Sequence, residues 1–464
     1  MPAGDEGCPT GRTRLAAGAV VTGDAAGSIW RPGVVDIDGG RIVHVGPSSS
    51  APEHHGRTVA CPGLVMPGLV NTHGHSPMTL LRGVGEGLPL DRWLRHAIWP
   101  REAHLTPEDV FWGMTLGCGE MLRCGVTTSC ETYFHDTAVV DAVVEAGMRC
   151  LVTPGILDIP GTGPGRGWRA MLDAAGELHA EADGRAGLVS VGLGPHAAYT
   201  LPVEALTAAG RLARELDTIL TIHLAETASE DHQLQAEHSM TVPALLDEIG
   251  VLDARVLAAH AVWLTDADIA LLAERRVAVA HCPQSNAKLG SGVARLPHLL
   301  QSGIRVGLGT DGPASNNDLD LWEELRLAPL LARARAADAS VIDAVSAFGL
   351  ATRGGAAALG IDAGVLAPGR LADVVHVRTD DPRFVPVLAD ADLMAHLVWS
   401  SASHLVADVW VGGRQVVAAG VCTSVDTVEA ARQVQARAAR LAAAVGGQLG
   451  PAEDRPVGGS PGPA

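Results

Sequence analysis

Asn71-Thr72-His73-Gly74-His75 closes the apolar run Leu64-Val65-Met66-Pro67-Gly68-Leu69-Val70. In a strand, residues i and i+2 point to the same side. The spacing therefore sets two imidazoles on one face, close enough to share a metal ion. Neutral imidazole is a common ligand for zinc and iron. Alone, a His-x-His pair is a weak signal, because two histidines this close are more often surface residues. Its meaning depends on the other residues able to do chemistry: His196, His223 with Glu226 three residues on, His260, His281 and Asp311.

Each of these follows a short run rich in Val, Ile and Leu. The runs are Leu64–Val70, Val126–Cys130, Cys150–Ile156, Leu188–Leu193, Ile219–Ile222, Val256–Ala259, Val277–Ala280 and Val306–Leu308. Longer Ala-, Leu- and Glu-rich stretches such as Val203–Leu216 and Ala267–Arg276 lie between them. That alternation marks βα units and a parallel sheet. Eight such units over roughly 250 to 300 residues match a (β/α)8 barrel, whose active sites sit at the carboxyl ends of the strands. Pattern alone leaves a doubly wound sheet open. Agreement among six strand ends favours one shared site in a TIM-like barrel.

His73, His75, His223 and Asp311 supply three nitrogens and one carboxylate, a donor set suited to a catalytic zinc that keeps an open position for water. Such an ion lowers the pKa of its water from about 16 toward 7. Glu226 is placed to act as general acid and base beside the ion. A carboxylate at a helix start, favoured by the dipole, is its plainer role, and the two are compatible. His260 can hydrogen-bond the attacking oxygen or stabilise the charge formed on attack. Two-metal barrels of this type often bridge their ions with a modified lysine at the fourth strand end. Here that end reads Gly192-Leu193-Gly194-Pro195-His196, and the only lysine in the chain is Lys288. One divalent metal is expected, Zn2+ first and Fe2+ second.

Composition narrows the class. The 464 residues carry a net charge of −18, which argues against nucleic acid and anionic membrane surfaces. Hydrophobic residues make up 47% and aromatics only 3%, so the core must be built mainly from Ala, Val and Leu. Eight cysteines form no Cys-x-x-Cys pair, which suits reduced, buried thiols in a cytoplasmic protein. No run reaches the roughly 18 apolar residues of a spanning helix. Arg12 to Gly23 superficially resembles a signal peptide, but reads better with Val34–Val43 as small strands and a turn. Gly307-Leu308-Gly309-Thr310-Asp311-Gly312 matches a dinucleotide fingerprint, yet it ends the last βα unit and carries a proposed ligand. Trp93, Trp99 and Trp112 are expected in the core or a pocket wall.

Residues 1–63 and 364–425 contain short strands and Gly turns and are expected to form one small β-sandwich domain from both chain ends. Residues 64–363 form the barrel. Residues 426–464 are expected to hold an Ala- and Arg-rich helix, followed from Gly450 by a disordered Pro/Gly-rich tail.

With these residues in place, the chain resembles the amidohydrolase superfamily. It is most similar to the branch of methylthioadenosine/S-adenosylhomocysteine deaminases, which also contains triazine hydrolases and guanine deaminases. The resemblance rests on Pro67 to Gly83, Gly194-Pro195-His196, His223-Leu224-Ala225-Glu226-Thr227, His281 to Leu289 and Gly309 to Asn317. It implies the ligand set above, with Glu226 and His260 handling protons. It also implies that Glu102 grips ribose hydroxyls and that His196 contacts the purine. Members that accept an amino-acid tail place an arginine after the third strand, where this chain has Val152-Thr153-Pro154-Gly155. Arg166 or Arg169 in the next loop is the available substitute, so 5′-modified adenosines are favoured over S-adenosylhomocysteine. The expected activity is hydrolytic deamination of adenine nucleosides. The alternative is a guanine/8-oxoguanine deaminase or a triazine-type aminohydrolase or chlorohydrolase. A metal-free binding protein on this scaffold would have lost ligands that are all present here. The expected partners are a small-molecule substrate and water, with assembly into a homo-oligomer left open.

Overall fold

The computed structural model describes residues 11–159, 167–400 and 402–446. Arg166 and the tail beyond Gly450 lie outside these residues. Eight strands run parallel: β1 (Leu69–Gly74), β2 (Val126–Glu131), β3 (Arg149–Val152), β4 (Val189–Val191), β5 (Ile219–Leu224), β6 (Arg255–His260), β7 (Ala278–His281) and β8 (Val306–Leu308). They pair in the order β4-β3-β2-β1-β8-β7-β6-β5. The two ends join through single bridges, Leu193 with Leu220 and Ala197 with His223. There Leu193 N donates to Ile219 O at 2.9 Å and Thr221 N donates to Leu193 O at 2.8 Å. The sheet closes into a TIM-like (β/α)8 barrel.

Strands of such a barrel are covered on both faces, so they read as continuous apolar runs rather than alternating ones. β1, β2 and β5 are buried at every residue. Inside the barrel, Cys130, Leu151, Ile219, Leu257 and Ala278 meet Ala356 and Leu359 of the helix Gly355–Leu359. Outside it, helices such as Pro107–Arg123, Val203–Glu215 and Asp266–Glu274 complete the units. The first and last of these start with hydrogen-bonded ends: Thr106 with Asp109, and Thr265 with Asp268.

The first apolar run divides differently from the single barrel strand expected over 64–70. Leu64–Pro67 belongs to a strand, Arg57–Pro67, that pairs antiparallel with Val374–Val377 in a second sheet. The chain then changes sheets at Gly68. Gly68 N donates to Asp373 O at 2.9 Å, and Leu69 N donates to Gly125 O at 3.0 Å. A Cβ on Gly68 would lie 2.1 Å from Thr127 Oγ1, so glycine is required at the hand-off. Both halves of the run are apolar because both strands are buried, and periodicity cannot separate them.

The second sheet has nine strands drawn from both chain ends. Thr13–Val21 and Arg57–Pro67 lie side by side and parallel, with Gly33–Asp38 and Arg41–Pro47 on one flank. Val374–Val377, Val406–Val411 and Arg414–Ala418 continue the other flank. This small β domain encloses its own core of Leu15, Val35, Ile37, Val65, Val374 and Trp410. The helix Thr427–Ala444 follows it.

Closing the barrel demands close backbone approach at Gly192, whose Cβ would sit 2.5 Å from Ile219 O. Gly192→Ala is expected to destabilise the fold by about 1–3 kcal/mol. Thermal melting checks this, with a midpoint several degrees below wild type as the expected result.

Candidate active site

The carboxyl ends of the strands bring the chemistry-bearing residues together. His73 and His75 leave β1, His223 is in β5, His260 ends β6, and Asp311 follows β8. His73, His75 and His223 present ligand atoms within 4.8 Å of one another, and so do His73, His260 and Asp311. Asp311 Oδ1 lies 3.5 Å from His73 Nε2 and 3.3 Å from His75 Nε2.

The outer nitrogens of the imidazoles are tied to main-chain carbonyls. His75 Nδ1 donates to Thr132 O at 2.5 Å, and His223 Nδ1 donates to His196 O at 2.7 Å. With the proton on Nδ1, each Nε2 carries a lone pair. Those two nitrogens face each other at 3.2 Å. His73 Nε2 is buried with no hydrogen-bond partner. Two inward lone pairs, a third buried imidazole nitrogen and a carboxylate suit a divalent cation.

Electrostatics agree with that reading. Burial holds His73 neutral, down to about 4, and holds His223 well below the usual imidazole range. Burial alone would raise Asp311, but His73 beside it and the neighbouring imidazoles keep it well below the carboxylate range. Ser285 Oγ at 2.5 Å and Ser315 Oγ at 2.9 Å donate to Asp311 Oδ2 and fix its direction.

Glu226 stands beside this cluster. Its carboxylate lies 3.8 Å from His260 Nε2 and accepts from Ser291 Oγ at 3.3 Å. Burial raises its pKa, partly offset by His260. Burial pulls His260 down, yet the Glu226 and Asp311 carboxylates outweigh it and leave its pKa raised. Asn286 Oδ1 accepts from His260 Nδ1 at 2.8 Å and aims Nε2 at the site. Ala225, His260 and Asp311 have φ of 49°, 72° and 60°. This left-handed backbone, costly for side-chain residues, clusters at functional sites.

A cavity of about 670 Å³, counting the part open to solvent, rises above the cluster. His75, His223, Glu226, His260 and Asp311 line its floor. Leu90, Trp93, Trp99, Phe134 and Leu157 give it apolar walls. Glu102 ends the short helix Trp99–Glu102 and lines the same cavity, buried at 5% exposure. Burial pushes it up to about 7, with only the Tyr133 hydroxyl drawing it down. His196 also lines the cavity, its ring 4.6 Å from that of His223 and held by Thr200 Oγ1 at 3.1 Å.

Arg169 and Trp112 stand apart from the cavity. Arg169 stacks 4.1 Å over the Trp168 ring and is not among the lining residues, and Arg166 is outside the described residues. Trp112 is also absent from the lining and lies under the Arg437 guanidinium at 5.9 Å. The glycine run around Asp311 serves packing. A Cβ on Gly307 would lie 2.4 Å from Thr72 Cγ2. Sequence reasoning missed Thr132, Ser285, Ser291, Ser315 and the role of Asn286. Ser285 and Asn286 follow His281 in the stretch His281 to Leu289, which is the one local signal for them.

Residues 64–416 match the amidohydrolase family. The chain belongs to that family. It is 41% identical to the 5-methylthioadenosine/S-adenosylhomocysteine deaminase of Pelotomaculum thermopropionicum, over 91% of this chain and 97% of the relative. It is also 41% identical to the 5′-deoxyadenosine deaminase of Methanothermobacter thermautotrophicus, over 90% and 96%. The zinc-bound structure of an adenosine deaminase from Xanthomonas campestris superposes with a TM-score of 0.87, at 36% identity over 93% and 98% of the two chains. Like its family, this amidohydrolase is a hydrolase whose site is built around a metal.

Asn286 touches the site only through His260. Asn286→Ala is expected to lower kcat roughly 10- to 100-fold, the usual cost of freeing such an imidazole. Metal analysis of the same variant separates two roles. Retained metal means that His260 works on the substrate side, and lost metal means that it also helps hold the ion.

Proposed function

We propose that this amidohydrolase deaminates adenine nucleosides with a small 5′ group, such as methylthioadenosine or 5′-deoxyadenosine, releasing ammonia. One observation carries the choice: Glu102, a buried carboxyl, shares the apolar cavity with the Glu226–His260 cluster. Among Trp93, Trp99 and Leu90 this acid has no cationic partner, and the Tyr133 hydroxyl is the polar group beside it. A pair of ribose hydroxyls would give it two donors. The relatives named for deamination of such nucleosides support the same reading. A guanine or triazine substrate offers Glu102 no diol.

His73, His75, His223 and Asp311 would hold one zinc ion. When bound there, the ion lowers the pKa of a water from about 16 toward 7. Glu226 takes a proton from the attacking water and delivers it to the ring nitrogen beside the carbon that carries the amine. It then takes the second proton, from the hydroxyl now on that carbon, and passes it to the amine, so that a C=O forms as the C–N bond breaks and ammonia leaves. His260 hydrogen-bonds the attacking oxygen. His196 contacts the purine, and the apolar walls exclude bulk water. Among the described residues no arginine or lysine lines the cavity, so small uncharged 5′ groups fit it better than an amino-acid tail.

Purified protein is expected to contain one divalent ion per chain, measured by elemental analysis. A value near two would defeat the mononuclear assignment. Glu226→Gln is expected to keep the ion and lose roughly 100- to 10,000-fold in kcat. A metal-loaded variant near full rate would remove Glu226 from proton transfer. Glu102 gives the pH signature. As a carboxylate it accepts from both hydroxyls, and ionisation near pH 7 means that fewer than about one in ten is charged at pH 6. KM for 5′-deoxyadenosine is therefore expected to fall about tenfold from pH 6 to 8, and the slope to vanish in Glu102→Gln. Ammonia release across adenosines, guanine, 8-oxoguanine and triazines tests the substrate class itself.

A further inference from the structure

One polar group of the cavity stands beside Glu102 and has no task in the chemistry above. Tyr133, just past the end of β2, lines the cavity and is 3% exposed. Its buried hydroxyl makes no close hydrogen bond, and the group it interacts with is the Glu102 carboxyl. It lies close enough to Glu102 to draw that carboxyl's pKa down. Trp93, Trp99, Phe134 and Leu157 line the same cavity with hydrocarbon and ring surface. A buried hydroxyl left unpaired costs about 1–3 kcal/mol. Such groups persist where a ligand or water completes them.

The two heads are chemically complementary. An ionised carboxylate only accepts hydrogen bonds, whereas a phenol can donate one. A vicinal diol offers two O–H donors and, on the same atoms, oxygen lone pairs. We propose that Tyr133 is the second arm of a diol clamp, its hydroxyl donating to an oxygen of the ribose diol whose O–H groups Glu102 accepts. The inference rests on the nucleoside reading and deepens it, because it makes two residues, one acceptor and one donor, responsible for choosing a riboside over a free base. Substrates with only one of the two hydroxyls satisfy half of the clamp.

The test compares wild type, Tyr133→Phe, Glu102→Ala and the double variant on 5′-deoxyadenosine and on 2′,3′-dideoxyadenosine. Metal content and melting temperature are measured for each. Tyr133→Phe is expected to raise KM for 5′-deoxyadenosine roughly 5- to 30-fold, the usual worth of one such hydrogen bond. Its kcat should stay within about twofold, and its KM for the dideoxy substrate should match wild type. Glu102→Ala should keep a few-fold preference for the riboside, supplied by Tyr133 alone, and the double variant should lose it. An unchanged KM, or an equal rise on both substrates, overturns the clamp and makes Tyr133 a wall residue. If Tyr133→Phe folds poorly, absence of any residual riboside preference in Glu102→Ala overturns it instead. A wild type that releases no ammonia from either adenosine overturns the nucleoside reading, and the clamp with it. An active wild type with an indifferent Tyr133→Phe overturns the clamp alone.

Discussion

Two imidazole nitrogens that both carry lone pairs, His75 Nε2 and His223 Nε2, face each other at 3.2 Å. Without a cation that approach is repulsive, and a shared proton is the usual remedy. Here the remedy is blocked. Each ring has its one neutral-state proton committed to a main-chain carbonyl, Thr132 O or His196 O. A second proton would have to be placed on a buried cation, and burial opposes that strongly at His223. The tautomers are therefore set by the backbone, and the backbone is set by the barrel. Thr132 lies just past the end of β2, and His196 O, at the seam that closes the barrel, also accepts from His223 N at 2.9 Å. The site depends on the barrel as a source of correctly placed C=O groups as much as on the side chains themselves.

Holding those carbonyls still requires the strand ends to stay in register while the chain leaves the sheet. Glycines allow the close approaches at the seam, and left-handed backbone at Ala225, His260 and Asp311 turns the chain sharply where a side chain must face the axis. Hydrogen bonds then stiffen the turns. Asn316 Nδ2 donates to Thr310 O at 2.8 Å and to Glu324 Oε1 at 2.7 Å, and Gln284 N donates to Glu324 Oε2 at 3.1 Å. These tie the loop after β8 to the loop after β7. Asp311, Ser285 and Asn286 lie on these loops, so the carboxylate and the His260 support move as one unit.

Much of this was legible in the sequence because burial on both faces writes most of these strands as apolar runs: seven of the eight runs fall on barrel strands, and the first straddles two sheets. His73, His75, His223, Glu226, His260 and Asp311 stood out because each follows such a run. The limits have physical causes. At Gly68 two buried strands meet without a polar residue between them, so the run looked like one element. Thr132 acts through its carbonyl, which every residue has, and side-chain identity cannot reveal it. Ser285 and Ser315 are ordinary helix-start and turn residues by type. Their meaning comes from the distance to Asp311, fixed only when loops 26 residues apart in sequence pack together. Tyr133 carries no sequence signal either, because its meaning comes from burial beside Glu102.

The cavity joins two regions with opposite demands. Its floor concentrates histidines and carboxylates, where a polar reacting centre is stabilised. Its walls are apolar, and bind by excluding water rather than by attraction. Glu102 and Tyr133 interrupt the walls at one place. A ligand that satisfies both regions must be planar and basic enough at one end for His196 and Glu226, and must present hydroxyls at a middle point. Its far end must be content beside Leu and Trp side chains. The described lining contains the acids Glu102, Glu226 and Asp311 and no arginine or lysine. An anionic far end would be desolvated there without a counter-charge, which is the costliest way to bury a group. A methylthio or methyl group in the same position only gains, at about 25 cal/mol per Å² of surface removed from water. On the proposed reading, discrimination at the far end comes from what the described walls lack, and discrimination at the diol from the Glu102 carboxyl and the Tyr133 hydroxyl beside it.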